Sequence, residues 1–105
     1  MGVKKIMNTK LPNGEVIDLY PIGVLAKALD RTALTIRRWE REGIIPDTFF
    51  VNSRGHRMYS QEQIDIIVQC ANEAQIKKGY SILSTEFSEL CKYRLGELLK
   101  KYKGE

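Results

Sequence analysis

Residues 22–59 carry the most informative pattern in the chain, and they read IGVLAKALDRTALTIRRWEREGIIPDTFFVNSRGHRMY. The spacing of the apolar residues in the first part predicts one short helix with a single buried stripe. Asp30 is expected to end this helix, because aspartate tolerates the left-handed backbone conformation better than most residues. The stripe consists of Ile22, Leu25, Ala26 and Leu29.

A second short helix is predicted directly after the first. Thr32 is a good N-cap for it, because a threonine hydroxyl can accept a hydrogen bond from an exposed backbone N–H group. Ile36 and Trp39 lie three residues apart and would form its buried face, while Gly43 and Pro46 would stop it. Two short helices across a three-residue turn have the spacing of a DNA-binding helix-turn-helix.

A basic hairpin is predicted immediately after the second helix. Residues 49–51 and 57–59 have strand composition, and residues 52–56 between them combine turn formers with cationic donors. A finger of this kind beside a helix-turn-helix is a wing, which can reach a phosphate backbone or a minor groove. The expected fold class is therefore mainly α with a small antiparallel sheet (α+β), a winged helix-turn-helix.

One domain is expected for a chain of 105 residues. Its predicted parts are an N-terminal β-hairpin at residues 3–20, the winged helix-turn-helix at 21–59, and two additional C-terminal helices at 60–103. The hairpin is predicted from the turn formers at residues 12–14. It would either extend the small sheet or form an arm that touches phosphates through Lys4, Lys5 and Lys10.

Two helices are predicted after the wing. Ser60 and Gln63 form a capping box for the third helix, which is expected to run to about Lys77. Ser84 is expected to cap the final helix, whose apolar side is wide enough to cover the core and also to meet a second subunit. That side comprises Phe87, Leu90, Cys91, Leu95, Leu98, Leu99 and Tyr102.

The composition narrows the classes of function. A formal net charge of +4 suits a polyanionic partner. With two cysteines and one histidine the chain has too few ligands for a closed four-ligand zinc site, so no metal and no cofactor are expected. Neither a catalytic triad nor a glycine-rich phosphate loop is found, so no enzymatic activity is expected. Cys70 and Cys91 are expected to be buried apolar residues, with a redox switch as the alternative.

Three segments in order, residues 20–29, 35–46 and 54–60, resemble the DNA-binding domain of the MerR superfamily. Their variants are also similar to the excisionase-like and serine-transposase N-terminal branches of that group, and the resemblance covers roughly residues 20–82. The chain departs from the family at Asp30, where a glycine is usual, and at Arg38, where many members have a tyrosine. The resemblance implies assembly as a homodimer through a C-terminal helix.

The candidate DNA-binding residues lie on the second helix and on the wing. The resemblance implies that Thr35, Arg37 and Arg38 lie near the major groove and its phosphates. It also implies that the wing candidates contact DNA and that Trp39 lies mainly in the core. The alternatives are that the helix arginines are solvated and pair with nearby carboxylates such as Glu40, and that Thr35 is only a local cap. His56 would be a turn residue that can also contact a phosphate. The candidates are Thr35, Arg37, Arg38, Arg41, Arg54, His56 and Arg57.

The expected function is sequence-selective binding of double-stranded DNA. The role would be that of a small transcriptional regulator, or of a phage or mobile-element accessory factor in excision, packaging or segregation. No signal peptide or membrane span is apparent, so a bacterial cytoplasm or nucleoid is the expected location, and no small-molecule effector is expected. The alternative is a protein-interaction module on a winged-helix scaffold.

Overall fold

The computed structural model describes residues 7–74 and 85–104. Within these residues the chain forms four strands and four helices, and the predicted class, mainly α with a small antiparallel sheet, is confirmed. No helix in these two ranges has the length and apolar character that a membrane span requires. The strands are β1 Met7–Lys10, β2 Val16–Pro21, β3 Phe50–Val51 and β4 Arg57–Ser60, and the helices are α1 Ile22–Ala28, α2 Ala33–Arg41, α3 Gln61–Glu73 and α4 Thr85–Tyr102.

The N-terminal hairpin and the wing share one sheet. Its strand order is β1-β2-β4-β3, and all neighbouring strands are antiparallel. The central pair places Leu19 opposite Ser60 and Tyr20 opposite Tyr59. The prediction that the hairpin extends the small sheet is therefore confirmed. Of the lysines proposed for an arm, Lys10 is exposed, whereas Lys4 and Lys5 lie outside the described residues.

The turn between α1 and α2 follows local backbone rules. Asp30 has a φ of 58°, which confirms the predicted left-handed end of α1. The amide of Asp30 bonds to the carbonyl of Lys27 at 3.1 Å, and the amide of Arg31 bonds to that of Ala26 at 2.8 Å. This pair of bonds is a Schellman motif, which satisfies carbonyls that the helix end would leave unpaired. The chain is thereby redirected into α2 within a few residues.

The predicted ends of α2 are also confirmed. The hydroxyl of Thr32 accepts a hydrogen bond from the backbone N–H of Thr35 at 3.2 Å. At the other end Gly43 has a φ of 75°, a conformation that glycine adopts without a Cβ clash. Ile36 and Trp39 are buried on the inner face of the helix, as predicted. Ile45, just beyond the helix, is fully buried in the same core.

The third helix begins as predicted but ends earlier. Both hydrogen bonds of the capping box between Ser60 and Gln63 are present. The helix stops at Glu73, so the predicted extension to about Lys77 is wrong. Ala74 is its C-cap and packs against the core, and residues 75–77 lie outside the described ranges. The expected cap at Ser84 lies outside the described residues.

The final helix, α4, packs its apolar side against its own chain. The ring of Phe87 meets Trp39 edge to face at a centroid distance of 5.6 Å. At the other end Tyr102 packs against Phe49 at 6.0 Å, and its hydroxyl lies 2.6 Å from the hydroxyl of Ser60. Most of the predicted apolar side therefore covers the core of this domain. Phe87, Cys91, Leu95, Leu98 and Tyr102 are buried, while Leu90 and Leu99 are half-buried.

Both cysteines are buried, as predicted. Cys70 of α3 and Cys91 of α4 have no exposed surface. Burial is the main cause that raises the pKa of each thiol above its ordinary value. A raised pKa keeps both thiols protonated and poorly nucleophilic at neutral pH, which fits the role of small apolar core residues.

Candidate nucleic-acid interface

The outer face of α2 is defined here by Leu34, Arg37, Arg38 and Arg41. These positions are spaced by three and four residues, so they lie on one side of the helix. All four residues are exposed, and the opposite side holds the buried Ile36 and Trp39. In residues 7–74 and 85–104, no ion pair involves any of the three arginines. The helix thus presents three cationic side chains directly to solvent.

The structure contradicts the alternative in which these arginines form ion pairs with Glu40. Glu40 lies on the inner side of α2, and only 5% of the residue is exposed. Its ion-pair partner is Arg57 of β4. The charged side chains of α2 are therefore divided between two sides of the helix, the arginines outward and Glu40 inward.

Thr35 takes part in the N-terminal cap of α2. It is half-buried, and its hydroxyl oxygen lies 3.0 Å from that of Thr32, while its backbone N–H donates to the same Thr32 oxygen. The local capping role weighed in the sequence is thus present. A DNA contact by the Thr35 side chain stays a prediction.

The wing tip is organised by one asparagine. The side-chain oxygen of Asn52 accepts hydrogen bonds from the backbone N–H groups of Arg54 and His56, both at 2.9 Å. Gly55 adopts a φ of 80°, which closes the turn. The Arg54 and His56 side chains are both exposed. Asn52 therefore holds the backbone of the tip in place and leaves two side chains with nitrogen donors facing solvent.

A buried carboxylate connects α2 to the wing. Glu40 accepts hydrogen bonds from the Nε of Arg57, from the hydroxyl of Tyr59 at 2.9 Å and from the backbone N–H of Thr48 at 2.9 Å. We call these four residues the Glu40 cluster. A buried carboxylate is tolerated only where several donors compensate its lost hydration, and here three donors from two other segments converge on it. The cluster fixes β4, and with it the wing, against the inner side of α2.

The protonation of Tyr59 suits its role as a donor in this cluster. Burial, followed by the nearby Glu40 carboxylate, raises the pKa of the Tyr59 phenol far above its ordinary value. The phenol consequently stays protonated and donates to Glu40 over the whole physiological pH range. Tyr59 therefore remains a neutral donor in the Glu40 cluster.

Thr48 connects the Glu40 cluster to α3. Its hydroxyl donates to the backbone carbonyl of Met58 in β4 and accepts a hydrogen bond from the side-chain amide of Gln63 at 3.2 Å. Gln63 is also the capping residue of α3. The position of the wing is therefore coupled through hydrogen bonds to α2 on one side and to the start of α3 on the other.

Arg57 has a different environment from the other wing candidates. Its side chain is 37% exposed, and its Nε is engaged by Glu40. Arg54 and His56 lie at the tip, whereas Arg57 lies at the base of the wing in β4. A contact between Arg57 and DNA stays a prediction, and its observed contact is structural.

Sequence reasoning missed the role of Glu40, although a signal was present. Glu40 follows Ile36 by four residues and Trp39 by one, so it belongs to the inner side of α2 by helical spacing. A charged residue on an otherwise apolar stripe predicts a buried partner. The partners could not be named from the sequence, because Arg57 and Tyr59 lie 17 and 19 residues further along the chain.

In residues 7–74 and 85–104, no group of three or more histidine, cysteine, aspartate or glutamate side chains could hold a metal ion. What the arrangement offers is a set of cationic donors on one exposed helix and on an adjoining wing. Donors of this kind bind phosphates and the acceptor edges of bases.

Comparison with known proteins matches this chain to a sequence family. The sequence model of a family described as MerR HTH family regulatory protein matches residues 20–82. No curated protein and no solved structure matches the chain. The matched segment includes α1, α2, the wing and α3, and it covers more than half of the 105 residues. The chain therefore belongs to the MerR HTH family of regulatory proteins.

Proposed function

We propose that this protein binds double-stranded DNA with sequence selectivity by inserting α2 into the major groove. The wing would contact the flanking backbone or the minor groove. The observation that carries this proposal is the outer face of α2, where Arg37, Arg38 and Arg41 are exposed together while Glu40 on the inner side ties the wing to the same helix. Membership of a helix-turn-helix regulatory family supports DNA as the partner.

The helical geometry indicates how the two parts would act together. Arg37 precedes Glu40 by one turn, so it lies on the wing side of the outer face. Because Glu40 binds β4, an arginine on this side is the helix donor nearest to the wing by rotation about the helix axis. Arg37 and Arg54 would accordingly contact neighbouring parts of one duplex. Arg38 lies on the opposite edge of the face and would contact the duplex away from the wing.

Salt dependence gives a first test of phosphate binding. A protein that neutralises about six phosphates should show a slope of log affinity against log salt of about −5. Measurement of the dissociation constant by fluorescence anisotropy across a salt series would supply this slope. An affinity that does not change with salt would contradict the proposed interface.

A triple variant tests the residues. Replacement of Arg37, Arg38 and Arg54 by alanine should weaken DNA binding by roughly a hundredfold or more, since each arginine contact contributes about 1–3 kcal/mol. The thermal unfolding midpoint should change little, because all three side chains are exposed. The matched control removes the same charge elsewhere, at Lys92, Lys100 and Lys103, which are exposed on or beside α4. If both triple variants bind alike, only net charge matters and the proposed face is wrong.

The biological role would be that of a small transcriptional regulator, or of an accessory factor of a phage or mobile element that shapes DNA for excision, packaging or segregation. Such a protein would act in a bacterial cytoplasm or nucleoid. Selection of bound sites from random DNA would give the operator. Inverted repeats in the selected sites would support a homodimer, with α4 as the proposed contact, and their spacing would report the distance between half-sites. A wild-type protein that lacks DNA affinity but captures a partner protein would favour an interaction module instead.

A further inference from the structure

One apolar side chain stands in the middle of the cationic face. Leu34 is 71% exposed, the largest exposed fraction among the exposed large apolar side chains of the described ranges. By helical rotation it lies between Arg37 and Arg38 and in line with Arg41 two turns later. Single exposed leucines on protein surfaces are common and carry no meaning on their own. This one is distinguished by its position, because every other member of the outer face is an arginine.

Its place along the helix is equally specific. Leu34 is the second residue of α2 and lies two residues after the Thr32 cap. Side chains on a helix tilt toward its N-terminus, so Leu34 is the foremost side chain of the outer face. In helix-turn-helix proteins the N-terminal residues of the second helix are those that contact base edges. In the binding mode proposed above, Leu34 would thus contact a base directly, although its side chain can neither donate nor accept a hydrogen bond.

The residues around Leu34 restrict which ligand can bind to the outer face of α2. Arg37 and Arg38 flank Leu34, so a ligand on this face must carry anionic or acceptor groups on both sides of an apolar group. The major groove of duplex DNA offers this combination where the 5-methyl group of thymine projects beside guanine acceptors and phosphates. An apolar protein partner would leave the arginines without acceptors, which is unfavourable for charged groups that lose water.

We propose that Leu34 is a specificity-determining residue that recognises thymine in the major groove by packing against its 5-methyl group. The inference rests on the proposed DNA-binding function and adds to it the kind of base that the middle of the helix would select. The flanking arginines would hold the duplex through phosphates or guanine edges. Leu34 would then favour thymine over cytosine or uracil at one position of each half-site, because only thymine carries the methyl group.

The experiment uses the full chain and a DNA site selected from random sequence by the wild-type protein. Each thymine of the site is replaced in turn by uracil, which removes the methyl group and leaves base pairing and the phosphates unchanged. For the wild type we expect one substitution per half-site to weaken binding by roughly three- to fivefold, the effect of exposing one buried methyl group. Leu34→Ala should bind the thymine and uracil sites equally, with an unchanged salt slope.

Two further variants make the result specific. Leu34→Met retains a flexible apolar side chain and should retain the preference for thymine over uracil. Val16→Ala removes a similarly exposed apolar side chain, 61% exposed, from the N-terminal hairpin and should leave both affinity and preference unchanged. Thermal unfolding midpoints close to the wild-type value would show that all variants are folded, as expected for exposed positions.

The outcomes separate this inference from the function on which it rests. A wild type that binds its selected site tightly but does not distinguish thymine from uracil at any position would overturn the role of Leu34 and leave the DNA-binding function standing. The same conclusion follows if Leu34→Ala keeps the full preference for thymine. A wild type that binds no DNA at any salt concentration would overturn both.

Discussion

The two sides of α2 use charge in opposite ways. On the outer face, Arg37, Arg38 and Arg41 are exposed and take part in none of the ion pairs seen in residues 7–74 and 85–104. On the inner side, the Glu40 carboxylate has no exposed side-chain surface and is bound to Arg57, Tyr59 and Thr48. The three arginines are available to bind a partner molecule, whereas the Glu40 carboxylate is already bound by groups of the same chain.

The difference shows why the formal net charge of this chain is a weak guide to its interface. Arg54 and Arg57 lie three residues apart in one wing, yet the first is exposed at the tip and the second is paired with a buried carboxylate. An arginine that is already paired has to lose or share that partner before it can bind a phosphate. The proposed interface is therefore defined by which arginines the fold leaves unpaired.

The largest expected effect comes from loss of the inner charge. Glu40→Ala would leave the buried hydroxyl of Tyr59 and the N–H of Thr48 without an acceptor. Removal of one partner from such a buried cluster should lower the free energy of unfolding by about 3 kcal/mol, measured by urea denaturation. Glu42→Ala is the matched control, because Glu42 is exposed two residues away and should change stability by about 0.5 kcal/mol or less. Equal stability of the two variants would mean that the Glu40 cluster does not stabilise the position of the wing.

A smaller effect should separate the two wing arginines. Arg57→Ala removes a charged donor from Glu40 and should cost about 1–2 kcal/mol of stability, whereas Arg54→Ala should cost about 0.5 kcal/mol or less. Arg54→Ala should instead weaken DNA binding and reduce the salt slope by about one unit. Urea denaturation and anisotropy titrations on both variants test the contrast. A larger loss of stability for Arg54→Ala than for Arg57→Ala would contradict the predicted contrast between the two arginines.

The smallest effect is expected where an arginine is paired in solvent. Arg94 holds Glu73 through two hydrogen bonds of 2.7 and 2.8 Å, and this contact lowers the pKa of the Glu73 carboxyl below its ordinary value of 4.5. Because the pKa of Glu73 is lower in the folded state, the stabilisation by this ion pair is fully present above the pKa of the unfolded state. It is lost as the pH falls through the pKa of the folded state. Glu73→Gln should therefore lower the urea midpoint slightly at neutral pH.

Acid and salt should both remove that difference. As the pH falls through the lowered pKa of the Glu73 carboxyl, the Glu73→Gln variant and the wild type should converge, because the wild-type carboxyl then becomes protonated. At about 1 M salt they should converge as well, because exposed ion pairs are screened. A difference between the two proteins that persists at low pH and high salt would show that packing around Glu73, rather than its charge, stabilises α3 against α4.

Local features of the fold were predictable because their causes lie within a few residues. The Thr32 and Ser60 caps, the left-handed Asp30 and the glycine stop at Gly43 each depend on backbone groups about one turn away. The exposed arginines of α2 follow from helical periodicity in the same way. The end of α3 was missed because neither glycine nor proline stands at or next to Ala74, so the sequence carries no local stop signal there.

The order of amino acids alone was enough to indicate two short helices, a tight turn, a basic wing and the outward direction of Arg37 and Arg38, since propensity and periodicity act between neighbours. The burial of Glu40, its capture of Arg57 and the cover that α4 forms over Trp39 and Phe49 were decided only by the tertiary fold. The physical reason is desolvation: a carboxylate can leave water only where donors from distant segments arrive together, and that convergence exists only in three dimensions.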